Sequence, residues 1–141
     1  MTRERVRTSL ADSVVRALVA GDVLTLQRLV RSDVVDHSAQ PGQPTGWAGV
    51  RERAMTLCSA MPDSEISVDV LSAVGDTVLA RAELTAAHRE PSAAPAPHRL
   101  TVALVLRFAG DLLVEMWTSA DLVLDRPSLL ADQRTPDPKA S

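Results

Sequence analysis

The sequence predicts one cone-shaped α+β domain, in which a curved antiparallel β-sheet packs against three N-terminal helices. Apolar residues recur at helical spacing up to residue 61, and from residue 65 they alternate with polar residues, as in half-buried strands. The length of 141 residues suits one domain with a single core. We expect the domain to span residues 1–131 and the polar segment 132–141 to be a disordered tail.

Two helices and a short strand are predicted at the start of the chain. Apolar side chains recur every three or four residues over 5–20, which is typical of an amphipathic helix. Gly21 ends this helix and Asp22 caps a second helix, which we expect over 23–31. A β-like segment, 33–37, then leads into a loop rich in Gly, Pro and Gln.

The third helix is predicted to begin after Gly46 and to end before Pro62. We expect Trp47 to pack against the core and Cys58 to behave as a small buried hydrophobic residue. One continuous apolar stripe runs along this helix and consists of Trp47, Val50, Ala54, Leu57, Cys58 and Met61.

Four further strands are predicted to form an antiparallel meander. The expected strands are 65–70, 77–88, 99–108 and 112–119, and a Pro/Ala-rich loop at 91–98 connects the middle two. In the second of them Ala80, Ala82 and His88 share one face. Small side chains on a concave face leave open volume, so we expect a ligand cavity there.

The segment 100–106 is apolar on both faces, so both sides of this strand should be covered. One side would meet the helices and the pocket. The other would meet a second subunit, which predicts a homodimer through the outer face of the sheet. Trp117 is expected on that outer face, and Asp121 is expected to cap a helix beyond the last strand.

Composition excludes several classes of partner. The net charge is −3 and the basic residues are scattered, which argues against nucleic acid. No segment resembles a signal peptide or approaches the roughly 20 apolar residues that span a bilayer, so we expect no membrane association and a cytoplasmic location. The single cysteine excludes an internal disulfide, and the three histidines lack metal-ligand spacing, so neither a metal nor a cofactor is expected.

Several short motifs, in a fixed order over residues 5–125, resemble a known family. They are Val34-Val35-Asp36-His37 before a Gly/Pro loop, Gly46-Trp47-Ala48-Gly49-Val50, Met61-Pro62-Asp63, the hairpin 75–81, His88 before a Pro-rich loop, 106–111, Val114-Glu115-Met116-Trp117 and Asp121. Together they resemble the nuclear transport factor 2-like superfamily and, within it, the SnoaL-like polyketide cyclases. The resemblance implies a pocket for an apolar small molecule and acid–base chemistry without a cofactor, such as aldol cyclisation or isomerisation in natural-product metabolism.

The resemblance also shows what this chain lacks. In the aromatic-polyketide cyclases a histidine on the penultimate strand and an aspartate on the last strand perform acid–base catalysis. Those positions fall on Leu104 and Thr118 here, and neither side chain can do that chemistry. Ketosteroid isomerases use an oxyanion-binding tyrosine, and this chain has no tyrosine. The substrate-pocket residues we expect are Trp47, Ala80, Ala82, Leu104, Met116 and Thr118.

Asp36, His37 and His88 are the candidate catalytic residues. A general-base aspartate of the isomerase-like relatives lies near Asp36, and a carboxylate at an apolar wall can abstract a proton α to a carbonyl. His88 could donate a proton or a hydrogen bond to the developing oxyanion. In the alternative interpretation Asp36 caps the loop that follows it, and both histidines are surface residues.

Three functions therefore stay open. The first is a cofactor-independent enzyme, with Asp36 or His37 as the base and His88 as the proton donor. The second is a non-catalytic binding protein for a hydrophobic metabolite, which an almost wholly apolar pocket favours. The third is an assembly module, which a filled cone without a cavity would favour. His98 enters the site only if the loop 91–98 closes over the pocket as a lid.

Overall fold

The structure, a computed structural model, describes residues 3–86 and 96–125. The predicted order of elements is confirmed: two helices, one short strand, a third helix and then four strands. The elements are α1 (Arg3–Ala20), α2 (Val23–Leu29), β1 (Val30–Asp36), α3 (Gly46–Ala60), β2 (Ser64–Val74), β3 (Thr77–Ala86), β4 (Ala96–Ala109) and β5 (Leu112–Asp125). His88, the greater part of the loop 91–98 and the predicted tail 132–141 lie outside the described residues.

The five strands form one open sheet with the order β1-β5-β4-β3-β2. Strands β2 to β5 form the predicted antiparallel meander. Strand β1 instead runs parallel to β5, so the sheet as a whole is mixed. A parallel pair needs a long crossover. Here the connection contains α3 and strands β2 to β4, and it brings the first strand beside the last.

The predicted end of the second helix and the predicted role of Asp121 are wrong, and both errors come from strand pairing. The second helix was expected to reach residue 31, but Val30 already has an extended backbone and begins β1. Its N-terminal cap is as predicted, because the Asp22 side chain accepts a hydrogen bond from the Thr25 backbone N–H at 3.2 Å. Asp121 caps no helix, since β5 continues to Asp125 and Asp121 pairs with Thr101 of β4.

The core lies between the concave face of the sheet and the helices. Helix α1 packs against β2 and β3, and α3 packs against β1 and α1. Among the described residues no polar or charged residue belongs to this buried core. The buried side chains of the three central strands are Val78, Ala80, Ala82, Leu84, Leu100, Val102, Leu104, Leu106, Phe108, Leu113, Val114 and Met116. This face is therefore apolar throughout, as the alternation in the sequence predicts.

The loop between β1 and α3 packs directly on the first turn of α3 at Gly49. A Cβ atom at this position would lie 2.0 Å from the carbonyl oxygen of Pro44. Real Cβ atoms do not approach a backbone oxygen so closely, so only glycine allows the contact. The loop 37–45 therefore has a fixed position beside the helix.

We expect Gly49→Ala to lower the free energy of unfolding by about 2–3 kcal/mol, the upper range for a single strained position. Helix propensity alone predicts the opposite sign, a gain of about 1 kcal/mol for Ala over Gly. Urea unfolding followed by circular dichroism measures the difference. Ser59→Ala, at an exposed site of the same helix, is the control and should change stability little. A stabilised Gly49→Ala variant would show that the close contact is absent.

Candidate functional site

Asp36, the last residue of β1, is held by three hydrogen-bond donors. Its Oδ1 accepts from the Ser38 backbone N–H at 3.0 Å. Its Oδ2 accepts from Gln43 Nε2 at 2.9 Å and from Arg53 Nε at 2.8 Å. The Asp36 side chain is 6% exposed and that of Arg53 13%, the lowest exposures among the ion pairs of the described residues. The carboxylate is therefore fixed at the border of the apolar core.

Ser38 extends this arrangement to β5. Arg53 Nη2 donates to the Ser38 carbonyl oxygen at 2.5 Å, and the Ser38 hydroxyl oxygen accepts from the Thr118 backbone N–H at 3.0 Å. The bond from Ser38 N–H to Asp36 is the local loop contact of the alternative interpretation. The alternative interpretation does not include the ion pair between Asp36 and Arg53, which joins β1 to α3. Arg53 also joins α3 to the loop, through the Ser38 carbonyl oxygen.

Asp36 and His37 lie on opposite faces of the sheet. Asp36 pairs in register with buried Met116, on the concave side. The next residue, His37, stacks its ring on the Trp117 indole, with centroids 4.4 Å apart and planes 8° from parallel. Trp117 is 38% exposed, on the convex face where the sequence predicts it. The structure therefore does not bring the Asp36 and His37 side chains to one reacting centre.

A chain of charged groups crosses the convex face beside His37. His37 Nε2 lies 3.0 Å from Glu115 Oε2, and the other Glu115 oxygen accepts from Arg107 Nε. Arg107 also approaches Asp76 Oδ2, at 3.5 Å. The hydrogen bond from Arg107, and secondly that from His37, hold the pKa of Glu115 below its usual value. Glu115, in turn, raises the pKa of Arg107.

A cleft of about 470 Å³ lies along β1 and the loop that follows it. The register between β1 and β5 shifts between Val30 and Val35, so this part of the edge strand departs from regular pairing. The cleft is lined by Ser32, Asp33, Val34, Val35, Asp36, Ala39, Gln43, Pro44, Thr45 and Gly46. Asp36 and Gln43, which bond to each other, both contribute to its wall.

The expected pocket residues lie together on the concave side. Ala80 pairs with Leu104, and Leu104 pairs with Thr118, so the three align across β3, β4 and β5. Ala80, Ala82, Leu104 and Met116 are 0–1% exposed, within the core cluster. Thr118 is half-buried, and Trp47 is partly buried and packs against the same core. His88 lies outside the described residues.

Sequence reasoning missed Arg53, Gln43 and Ser38. A signal for Arg53 was available, because it stands three residues after Val50 and four before Leu57, both on the apolar stripe of α3. A charged residue on a buried stripe needs an opposite charge. Its partner was not predictable, since the approach of α3 to β1 is a tertiary contact.

Within 3–86 and 96–125, no group of three or more His, Cys, Asp or Glu side chains is placed to hold a metal ion. No helix in these ranges is long and apolar enough to cross a membrane.

The sequence matches the family described as SnoaL-like polyketide cyclase over residues 8–124. A candidate polyketide cyclase from Bacillus cereus superposes with a TM-score of 0.68 at 20% identity, over 82% of this chain and 74% of its own. Another candidate polyketide cyclase, from Acidithiobacillus ferrooxidans, superposes with a TM-score of 0.64 at 24% identity, over 95% of this chain and 98% of its own. A candidate ketosteroid isomerase from Kribbella flavida superposes with a TM-score of 0.62 at 19% identity, over 92% of this chain and 90% of its own. These likenesses show the fold. No curated protein matches the sequence.

The lowered pKa of Glu115 predicts a contribution to acid sensitivity. The folded state binds this proton less readily than the unfolded state does, so the stabilisation is present above the ordinary pKa of 4.5 and is lost as the pH falls through the folded value. We expect the urea midpoint of the wild type to fall more steeply than that of Glu115→Gln between about pH 5 and pH 3. Glu52→Gln, at an exposed site of α3, is the charge-matched control. Equal slopes for wild type and Glu115→Gln would contradict the prediction.

Proposed function

Because the chain belongs to the SnoaL-like polyketide cyclase family, which it matches over residues 8–124, we propose that it binds an apolar, carbonyl-bearing natural-product-like molecule and catalyses an acid–base reaction on it without a cofactor. Aldol-type cyclisation is the reaction we favour, with isomerisation next. The observation that supports this is the Asp36 carboxylate, fixed by three donors and 6% exposed beside an apolar concave face.

The proposed chemistry balances without a further reactant. The Asp36 carboxylate accepts a proton from the carbon next to a substrate carbonyl. The resulting enolate carbon attacks a second carbonyl carbon of the same molecule, and a carbon–carbon bond forms. The alkoxide produced by this attack takes up one proton, directly from Asp36 or from a donor to which Asp36 then returns its proton, so the carboxylate is regenerated. His88 remains a proposed proton donor to the developing oxyanion.

In this proposal the acid–base position has moved from the central strands to the first strand. By the family resemblance, Leu104 and Thr118 fall at the positions where the aromatic-polyketide cyclases have their acid–base pair. Asp36 lies level with Met116 on the neighbouring strand, and Ser38 links it to Thr118. The substrate would therefore lie in the cleft along β1, whose wall includes Asp36, with its reacting carbon next to that carboxylate.

A non-catalytic binding protein is the second candidate. It is favoured by the same hydrogen bonds, because Ser38, Gln43 and Arg53 already occupy both oxygens of the Asp36 carboxylate. It is also favoured by the apolar side chain at Leu104. In either function we propose the cytoplasm as the compartment, where the single Cys58 stays reduced.

We further propose that the partner on the convex face is a second copy of this chain. An apolar centre at Leu79, Val105 and Trp117 surrounds a shallow depression of about 170 Å³. Cross-strand ion pairs lie around that centre, between Arg81 and Asp69, Arg99 and Glu83, and Arg107 and Glu115. An apolar centre with a charged rim is the usual composition of a protein interface.

The catalytic proposal is tested with 2-tetralone, an apolar ketone, by following exchange of its α-protons in D₂O by NMR. We expect the wild type to accelerate exchange and Asp36→Asn to reduce this acceleration about a hundredfold or more, because the proton acceptor is lost. Binding is measured separately from the fluorescence of Trp47 in a Trp117→Phe background, since the chain has two tryptophans and no tyrosine.

Asp69→Asn, on the convex side and 58% exposed, is the matched control and should leave exchange unchanged. Circular dichroism is used to check that Asp36→Asn is folded. A wild type that binds 2-tetralone without accelerating exchange would contradict catalysis and leave the binding function. A wild type that does not bind it would contradict both.

The dimer proposal is tested by sedimentation at tens of micromolar. We expect a dimer for the wild type and a monomer for Leu79→Lys, which puts a charge into the apolar centre. Leu71→Lys, at an exposed leucine of β2, is the control and should remain a dimer. A monomeric wild type would overturn the proposal.

A further inference from the structure

Arg53 has hydrogen-bond donors from which no group within residues 3–86 and 96–125 accepts. A guanidinium has five N–H donors. In Arg53, Nε donates to Asp36 and one Nη2 hydrogen donates to the Ser38 carbonyl oxygen. The remaining three donors, both on Nη1 and one on Nη2, have no acceptor among the described residues. With the side chain only 13% exposed, donors at such a position normally have partners.

The position of Arg53 on α3 places its guanidinium beside the Asp36 carboxylate. The residue lies on the stripe of α3 between buried Val50 and Leu57, so its side chain runs along the face of the helix that packs on the sheet. Its two bonds, to Asp36 and to the Ser38 carbonyl, fix the plane of the guanidinium. The free donors are therefore held in one orientation next to the carboxylate.

We propose that Arg53 binds the substrate oxygen that becomes negatively charged. This inference rests on the proposed function and specifies its substrate as a molecule with an enolisable carbonyl or an acidic phenol. The charge balance supports it. Before proton transfer, the charge of Arg53 is paired with that of Asp36. When Asp36 accepts the proton it becomes neutral, and an enolate bound to Arg53 takes its place as the partner. The number of paired charges is then the same before and after the step.

The test uses two planar probes, 1,8-dihydroxyanthraquinone and anthraquinone. The first has phenol groups whose ionisation changes its visible absorbance, whereas the second has none. We expect the wild type to increase the acid dissociation constant of the bound phenol at least about tenfold, because the remaining Arg53 donors would hydrogen-bond to the phenolate and favour this charged form. Arg53→Met should abolish this increase, and Arg53→Lys should retain part of it because it keeps the charge without the planar fork. The Kd of anthraquinone should be the same in all three proteins.

Separate outcomes decide the inference and the function. The role of Arg53 is overturned if Arg53→Met raises the Kd of both probes by the same factor, or if it leaves the ionisation of the bound phenol unchanged. The binding function stands in both cases. A wild type that binds neither probe contradicts the proposed function and this inference with it. If Arg53→Met does not fold, Asp36→Asn decides the matter, because it retains the guanidinium. The ionisation shift must persist in Asp36→Asn, and its loss would overturn the inference.

Discussion

The ion pair between Asp36 and Arg53 is the interaction on which this end of the molecule depends. The described core contains no buried charge of its own, and this pair lies at its border. Removing either partner would leave the other charge poorly solvated, which costs far more than an exposed pair contributes. Through Ser38 the pair also fixes the loop after β1 against β5. Thus one contact sets both the local fold and the chemistry available there.

The alternation of side chains along β1 separates two surfaces of the protein. Asp36 faces the concave side with the apolar core, and His37 faces the convex side with Trp117 and Glu115. Two neighbouring residues that look like a catalytic pair in the sequence therefore belong to different environments. The concave side offers an anchored carboxylate, and the convex side offers an aromatic stack within a chain of charges.

Local patterns were sufficient to predict the types and order of the elements, whereas their limits and partners depended on distant contacts. Val30 was expected in a helix but pairs with Leu113 of β5, which no local signal indicates. Asp121 was expected as a cap, but pairing with Thr101 extends β5 past it. Arg53 could have been noticed as a charge on an apolar stripe. That Asp36 is its partner could not, because sequence patterns do not encode how α3 approaches β1.

The pairing of the first strand with the last has a consequence for the way the chain reaches its native state. Ser38 and Thr118, which bond across these strands, are 80 residues apart in sequence. Contacts of such separation must overcome a large loop-closure entropy, and they slow folding. During synthesis on the ribosome, β1 has no partner until almost the whole domain has emerged. The loop, α3 and the Asp36–Arg53 pair can form earlier, because they are close in sequence. The nascent chain would therefore hold its carboxylate in position before the sheet that shields it exists.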